Sequence, residues 1–257
     1  MTTLAQAEIK KVLSLRYWWA LAVVPVVVAL AAASFTRPIV EAIAERADTA
    51  FDVNLVSTAI AVGGPTTIAL VFAALFGATA AGNEFTYATY TTTFLTARGR
   101  DAVLAAKLGV VAAFAVGYAL VVQVVAVGAM ILFTRDFSFT ADLFAICGVG
   151  IVACALWALI GAGVTLLAGS QVVGMLSVVG WFVFGEWILR ALAFAVGADG
   201  IGKALPVSAT LGVLVNAAPS IDIDVLSSWP GAAMILAAWV VALVGGGWLR
   251  TRMRDIT

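Results

Sequence analysis

Six long, mostly apolar runs, each long enough to cross a lipid bilayer as a helix, leave this chain few folds to choose from. They cover residues 17–35, 55–82, 102–133, 143–168, 172–196 and 231–249. A membrane barrel would instead show segments of about ten alternating residues, so the runs read as helices and the fold class as all-α and polytopic. Composition agrees: 63% of the 257 residues are hydrophobic and 11% are charged, whereas soluble domains need about 25% charged residues to face water. The first run lies too far inside the chain, and is too long, for a cleavable leader, so it is expected to stay in the mature protein. No Pro/Ser/Gly-rich linker separates the runs, which predicts one membrane domain over residues 1–257.

Six passes place both termini on one side. That side collects Lys10, Lys11, Arg16, Arg98, Arg100, Lys107, Arg250, Arg252 and Arg254, nine of the 14 basic residues, with only Glu8, Glu84, Asp101 and Asp255 of the 14 acidic ones. Basic residues accumulate on the cytoplasmic side, so both termini are expected there. The richness in Ala, Val and Gly suggests a bacterial source of high G and C content, and hence a bacterial cytoplasmic membrane. Gly169-Ser170-Gln171 leaves room only for a tight turn between the fourth and fifth spans, which makes them an antiparallel hairpin. Outside the membrane, residues 36–54 alternate apolar and charged side chains at helical spacing and predict a short surface helix. Residues 197–230 are apolar but broken by Pro206 and Pro219, and predict a re-entrant or cap-like segment.

Two inner segments stand out. Residues 1–16 project as an amphipathic helix, with Gln6, Lys10, Lys11 and Ser14 on one side, Leu4, Ile9, Val12 and Leu13 on the other, and Glu8 intruding. It reads as an interfacial elbow: either a basic anchor, or a moving element that also meets a partner. Between the second and third spans, Glu84 opens a threonine-rich and aromatic crossing. As a helix over 84–97 it puts Tyr87, Tyr90 and Phe94 on one stripe, which could dock into a groove or pack on its own bundle. Threonines and aromatics also suit strands.

Several chemistries are excluded. The chain has no histidine, so His-based haem ligation, HExxH zinc sites, Ser/His/Asp triads and His proton relays are absent. Cys147 and Cys154 would lie ~10.5 Å apart along one helix, beyond disulfide reach, and read as small buried hydrophobes. Residues 197–203, GADGIGK, approach a phosphate-binding loop but lack the Ser or Thr that holds magnesium, since Ala204 follows. A balanced charge gives no footprint for nucleic acid. Inside the spans, Glu186 and Arg190 sit at i, i+4 and suggest an ion pair or an outer gate. Gln123, Thr66, Thr67, Thr165 and Ser177 are central polar groups with interhelical hydrogen bonding as the default, and Gln123, Thr66, Thr67 and Phe182 are candidate pathway-lining residues. Ala74, Ala78, Gly82, Gly161 and Gly163 mark expected close helix contacts.

The order of these parts resembles the membrane-spanning permease subunits of ABC-2 type ATP-binding-cassette transporters. The likeness rests on the basic opening AEIKKVLSLRYWW, on Glu84-Phe85-Thr86-Tyr87-Ala88-Thr89 after the second span, and on Ala97-Arg98-Gly99-Arg100 with Lys107 opening the third. The resemblance implies a non-catalytic subunit that binds no cofactor itself, with ATP and magnesium on two partner ATPase subunits. It implies a second permease copy or homologue beside it, a coupling helix over 84–97 inserted into the ATPase, and the elbow next to that helix. Partner contacts then fall on Glu84, Tyr87, Tyr90, Phe94, Arg98, Arg100, Lys10 and Lys11, and the cargo is an amphiphilic or hydrophobic compound moved outward. The competing expectations are a stand-alone secondary transporter or channel, and a non-transporting scaffold or immunity subunit.

Overall fold

A computed structural model describes residues 2–47, 53–87, 99–133, 139–217 and 230–253. The described residues are almost wholly helical: α1 (Thr2–Ser14), α2 (Tyr17–Ala47), α3 (Val53–Thr86), α4 (Arg100–Phe133), α5 (Ala141–Ala168), α6 (Gln171–Ala195), α7 (Asp199–Lys203), α8 (Pro206–Asn216) and α9 (Gly231–Met253). Six of them, α2, α3, α4, α5, α6 and α9, are long and apolar enough to cross a membrane. The chain is therefore a six-span helical bundle, as its apolar runs require.

The bundle is organised around α5, which packs α3 on one side and α9 on another. Small residues set the spacing. A Cβ on Gly77 would come within 1.8 Å of the Ala158 carbonyl oxygen, and one on Gly161 within 1.9 Å of that of Ala74, so the α3 and α5 backbones touch at two reciprocal points one turn apart. Gly163 meets the α9 backbone at Leu243 in the same way, and Gly82 meets Gln171 of α6. Without hydrophobic drive between helices in lipid, such close backbone approach is a main source of association. Around it, Tyr17, Phe76, Phe114 and Tyr118 form a ring cluster with centroids 5.1–5.7 Å apart, and the Tyr118 hydroxyl donates to the Trp18 carbonyl. The α5–α6 hairpin turns at Gly169, whose φ of 70° is the left-handed conformation that glycine adopts without strain.

Two elements differ from the expectation. Residues 36–47 do not form a separate surface helix: they continue α2 past the apolar run, through Pro38, with Arg37 and Glu41 bonded one turn apart at 2.8 Å. Beyond Pro38 the stretch 41–47, rich in Glu and Ala, together with the i, i+4 pair, extends the helix rather than restarting one. Glu84 likewise lies in the last turn of α3, not at the start of a new helix, because α3 runs to Thr86. It also runs without interruption through Gly63-Gly64-Pro65, where the Thr66 and Thr67 hydroxyls bond back to the Val62 and Gly63 carbonyls.

Candidate functional site

One end of the bundle carries α1, the end of α3, the start of α4 and the end of α9. At that end four charged side chains from three helices close into a ring. Lys107 Nζ of α4 donates to Glu8 Oε2 of α1 at 2.9 Å and lies 3.1 Å from Glu84 Oε1 of α3. Lys11 Nζ of α1 donates to Glu8 Oε1 at 2.6 Å and to Glu84 Oε1 at 3.0 Å. Each ammonium thus bridges both carboxylates and the ring is neutral. Glu8, Glu84 and Lys107 are 6%, 5% and 4% exposed, and Lys11 forms the open edge. A cavity of about 410 Å³ lies beside the ring, bounded also by Tyr17, Asn83 and Tyr87.

The local structure explains the ring. On α1, Glu8, Lys11 and Val12 fall on one stripe, and it is this stripe that turns inward, with Glu8 and Val12 buried while Ile9 and Leu13 stay exposed. Only part of the apolar face packs: Leu4, Ala5 and Val12 join Glu8 on the inner side. A buried carboxylate needs charged or hydrogen-bonding partners, and Lys107, two turns into α4, supplies the deepest for this pair. Burial pushes the Glu8 carboxyl up, but Lys107 and Lys11 more than reverse this and hold it below its ordinary value. Burial likewise pushes the Lys11 ammonium down, and its bonds to Glu8 and Glu84 more than offset that and raise it.

These shifts fix a pH window. Lowering the Glu8 value gives stability that is present above its ordinary 4.5 and is lost as pH falls through the lower, folded value. Raising the Lys11 value gives stability that is present below 10.5 and is lost as pH climbs through the higher, folded value. The contribution of Glu8 and Lys11 is therefore flat between about pH 5 and 10. We expect the thermal midpoint of the purified chain to fall below pH 4.5, and Glu8→Gln to lower the plateau while shallowing that acid decline. An acid decline of equal depth in the variant would show that Glu8 is not its source.

Of the other residues singled out in the sequence, Lys10 is exposed on α1 and Tyr87 is 62% exposed just past α3. Arg100 donates to the Arg252 carbonyl at 2.9 Å, and Trp248 Nε1 donates to Asp101 at 2.8 Å, which ties the start of α4 to the end of α9. Tyr90, Phe94 and Arg98 lie outside the described residues, as does most of the expected helix over 84–97. Gln123 Nε2 donates to the Cys147 carbonyl at 2.9 Å and, with Thr66, packs against Gly150. The hydroxyls of Thr66 and Thr67 are used within α3. Phe182 packs on Trp157 with ring centroids 4.4 Å apart.

Glu186 and Arg190 are brought together, but not as a direct ion pair among the described residues. Glu186 is 3% exposed and caps α8: Oε1 accepts from the Ser208 amide (2.5 Å) and hydroxyl (2.6 Å), and Oε2 from the Val207 amide (2.8 Å) and Trp181 Nε1 (3.2 Å). Arg190 donates to the same Ser208 hydroxyl oxygen at 3.0 Å. Sequence reasoning named neither Glu8 as a ring member nor Ser208. The available signal for Glu8 was a lone carboxylate on the apolar side of α1.

The fold and the charged ring define a multi-pass helical membrane protein with a buried ionic junction at one end of its bundle. Compared with known protein families, curated proteins and solved structures, the chain matches none of them.

Proposed function

We propose that this chain is the membrane-spanning subunit of an ATP-binding-cassette transporter, working with a second permease copy or homologue and two separate ATPase subunits, and exporting an amphiphilic or hydrophobic compound. Its ring end faces the cytoplasm, the side on which basic residues accumulate. The reading is supported above all by the buried ring of Glu8, Lys11, Glu84 and Lys107. A conformational change follows only from contacts that differ between two states, and a subunit driven from outside needs a stiff connection between the driven element and its spans. The crossing after Glu84 is the driven element. Four charges shared among three helices tie the end of α3 to α1 and α4, so a push on that crossing is passed to all three. The described spans also hold few ionisable groups at mid-depth, where an ion-coupled carrier needs them.

The test is reconstitution in liposomes with the partner ATPase. Replacing Tyr90 and Phe94 together by Ala is expected to cut cargo-stimulated ATP hydrolysis by roughly tenfold, about 1.4 kcal/mol of coupling, while the complex still assembles. Unchanged stimulation and transport in that variant would remove the crossing from the mechanism. Transport by the purified chain without any ATPase would favour a stand-alone carrier.

A further inference from the structure

The middle of α6 is not a regular α-helix. Trp181–Gly185 forms a π-turn, closed by the Glu186 amide donating to the Trp181 carbonyl. Such single turns insert one residue into a helix and occur often at functional positions. In a regular helix, residues five apart point ~140° away from each other, whereas an i to i+5 bond brings them to one side. The turn is what lets Trp181 Nε1 and the α8 amides converge on one carboxylate. Gly185 permits it, since a Cβ there would stand 3.0 Å from the Trp181 ring.

What Glu186 holds is the first turn of a short helix. Pro206 opens α8 and has no amide hydrogen to satisfy, and the next two amides, of Val207 and Ser208, have no partner within their own helix. Both are donated to Glu186. Elsewhere α8 packs through buried Ala209 and Leu214, and Trp157 Nε1 donates to Thr210 Oγ1; just before α8, the Ala204 carbonyl accepts from Trp239 Nε1, each bond at 2.9 Å. Pro206 also lines a cleft of about 200 Å³ between α5, α6 and α9, faced by Trp157, Trp181 and Trp239. All three indole N–H groups are committed elsewhere, so the cleft presents mainly ring faces and aliphatic carbon, with Ser177 at its wall and no charge. That lining suits an uncharged apolar molecule.

A second arrangement satisfies the same charges. Arg190 stands one turn beyond Glu186, the spacing at which the two would pair directly if Ser208 were not between them. We propose that Glu186 is the latch of a gate. With the π-turn in place it holds the first turn of α8 over the indole-lined cleft. With α6 regular it turns to Arg190, α8 lifts, and the cleft opens to an uncharged apolar molecule. The switch does not depend on what powers the protein.

Two measurements test it, both on the full chain in lipid nanodiscs. The first is hydrogen exchange at the Val207 and Ser208 amides. The second is N-ethylmaleimide labelling of Thr210→Cys, a position 1% exposed, with Cys147 and Cys154 replaced by Ala. Glu186→Gln is expected to accelerate both by roughly 10–100-fold, the equivalent of hydrogen bonds to a charged acceptor, while α5 amides remain protected. Arg190→Gln removes the partner of the open arrangement along with one bond to the Ser208 hydroxyl in the closed one, and is expected to accelerate both rates far less than Glu186→Gln does. The latch is overturned if Glu186→Gln changes neither rate, if α5 amides accelerate in step, or if Arg190→Gln accelerates both as much, which is the behaviour of a static structural network.

Discussion

Lys107→Met is expected to lower the thermal midpoint of the purified chain by about 10 °C. The side chain is 4% exposed and is the innermost cation of the ring, so the substitution keeps its volume and leaves Glu8 and Glu84 facing each other with only Lys11 between them. Removing one partner of a buried ion pair costs ~3–5 kcal/mol, and in a chain of this size each kcal/mol shifts the midpoint by about 2–4 °C. The double variant Lys107→Met/Glu8→Gln restores neutrality to what is left of the ring and is expected to recover a good part of the loss. That recovery is the diagnostic result. If the double variant is as unstable as the two single losses added together, the residues are not coupled and the ring is not one unit.

A second large effect is expected at the α3–α5 contact. Gly161→Leu places a side chain where even a Cβ would lie 1.9 Å from the Ala74 carbonyl oxygen, and the obstacle is backbone, which cannot turn aside. The helices must separate, and the reciprocal contact of Gly77 with Ala158 parts with them. Overpacking alone costs about 1–3 kcal/mol, and here the main helix pair of the bundle is lost as well, so the variant is expected to lose its monodisperse peak in size-exclusion chromatography. Gly109→Leu, on a part of α4 with open space around it, is the matched control and is expected to behave as the parent. Equal behaviour of the two variants would mean that α3 and α5 do not approach as described.

The parts of this fold legible in the sequence are those set by length and by single residues. Six spans follow from run length against bilayer thickness, and the α5–α6 hairpin follows from Gly169-Ser170-Gln171, where no longer connection fits. Gly161, Gly163 and Gly82 announced close helix contacts because small side chains in lipid have few other uses. The charged ring was harder to see. Glu8 and Lys107 are 99 residues apart, and Glu84 and Lys11 are 73 apart, so no local pattern joins them. Projection of α1 also assumes that the whole apolar face turns inward, whereas here Glu8 packs beside Val12 and Leu13 is left 51% exposed. The π-turn in α6 escaped for a different reason: one inserted residue changes no composition and shows only as Gly180 and Gly185 on either side of an aromatic stretch. Without it Glu186 and Arg190 read as a plain i, i+4 pair, and the helix that separates them, 22 residues further on, stays hidden.

Photo-crosslinking from Tyr87 puts the account to its most direct test, because that side chain is 62% exposed at the point where α3 hands over to the crossing. A photoreactive residue replaces Tyr87, cells are irradiated, and the adduct is identified by mass spectrometry. The account requires an adduct with a soluble ATPase that carries a complete phosphate-binding loop, formed on the cytoplasmic side and altered in yield by ATP. An adduct with no nucleotide-hydrolysing protein, or labelling of Tyr87 by a reagent confined to the outside of the cell, would contradict it.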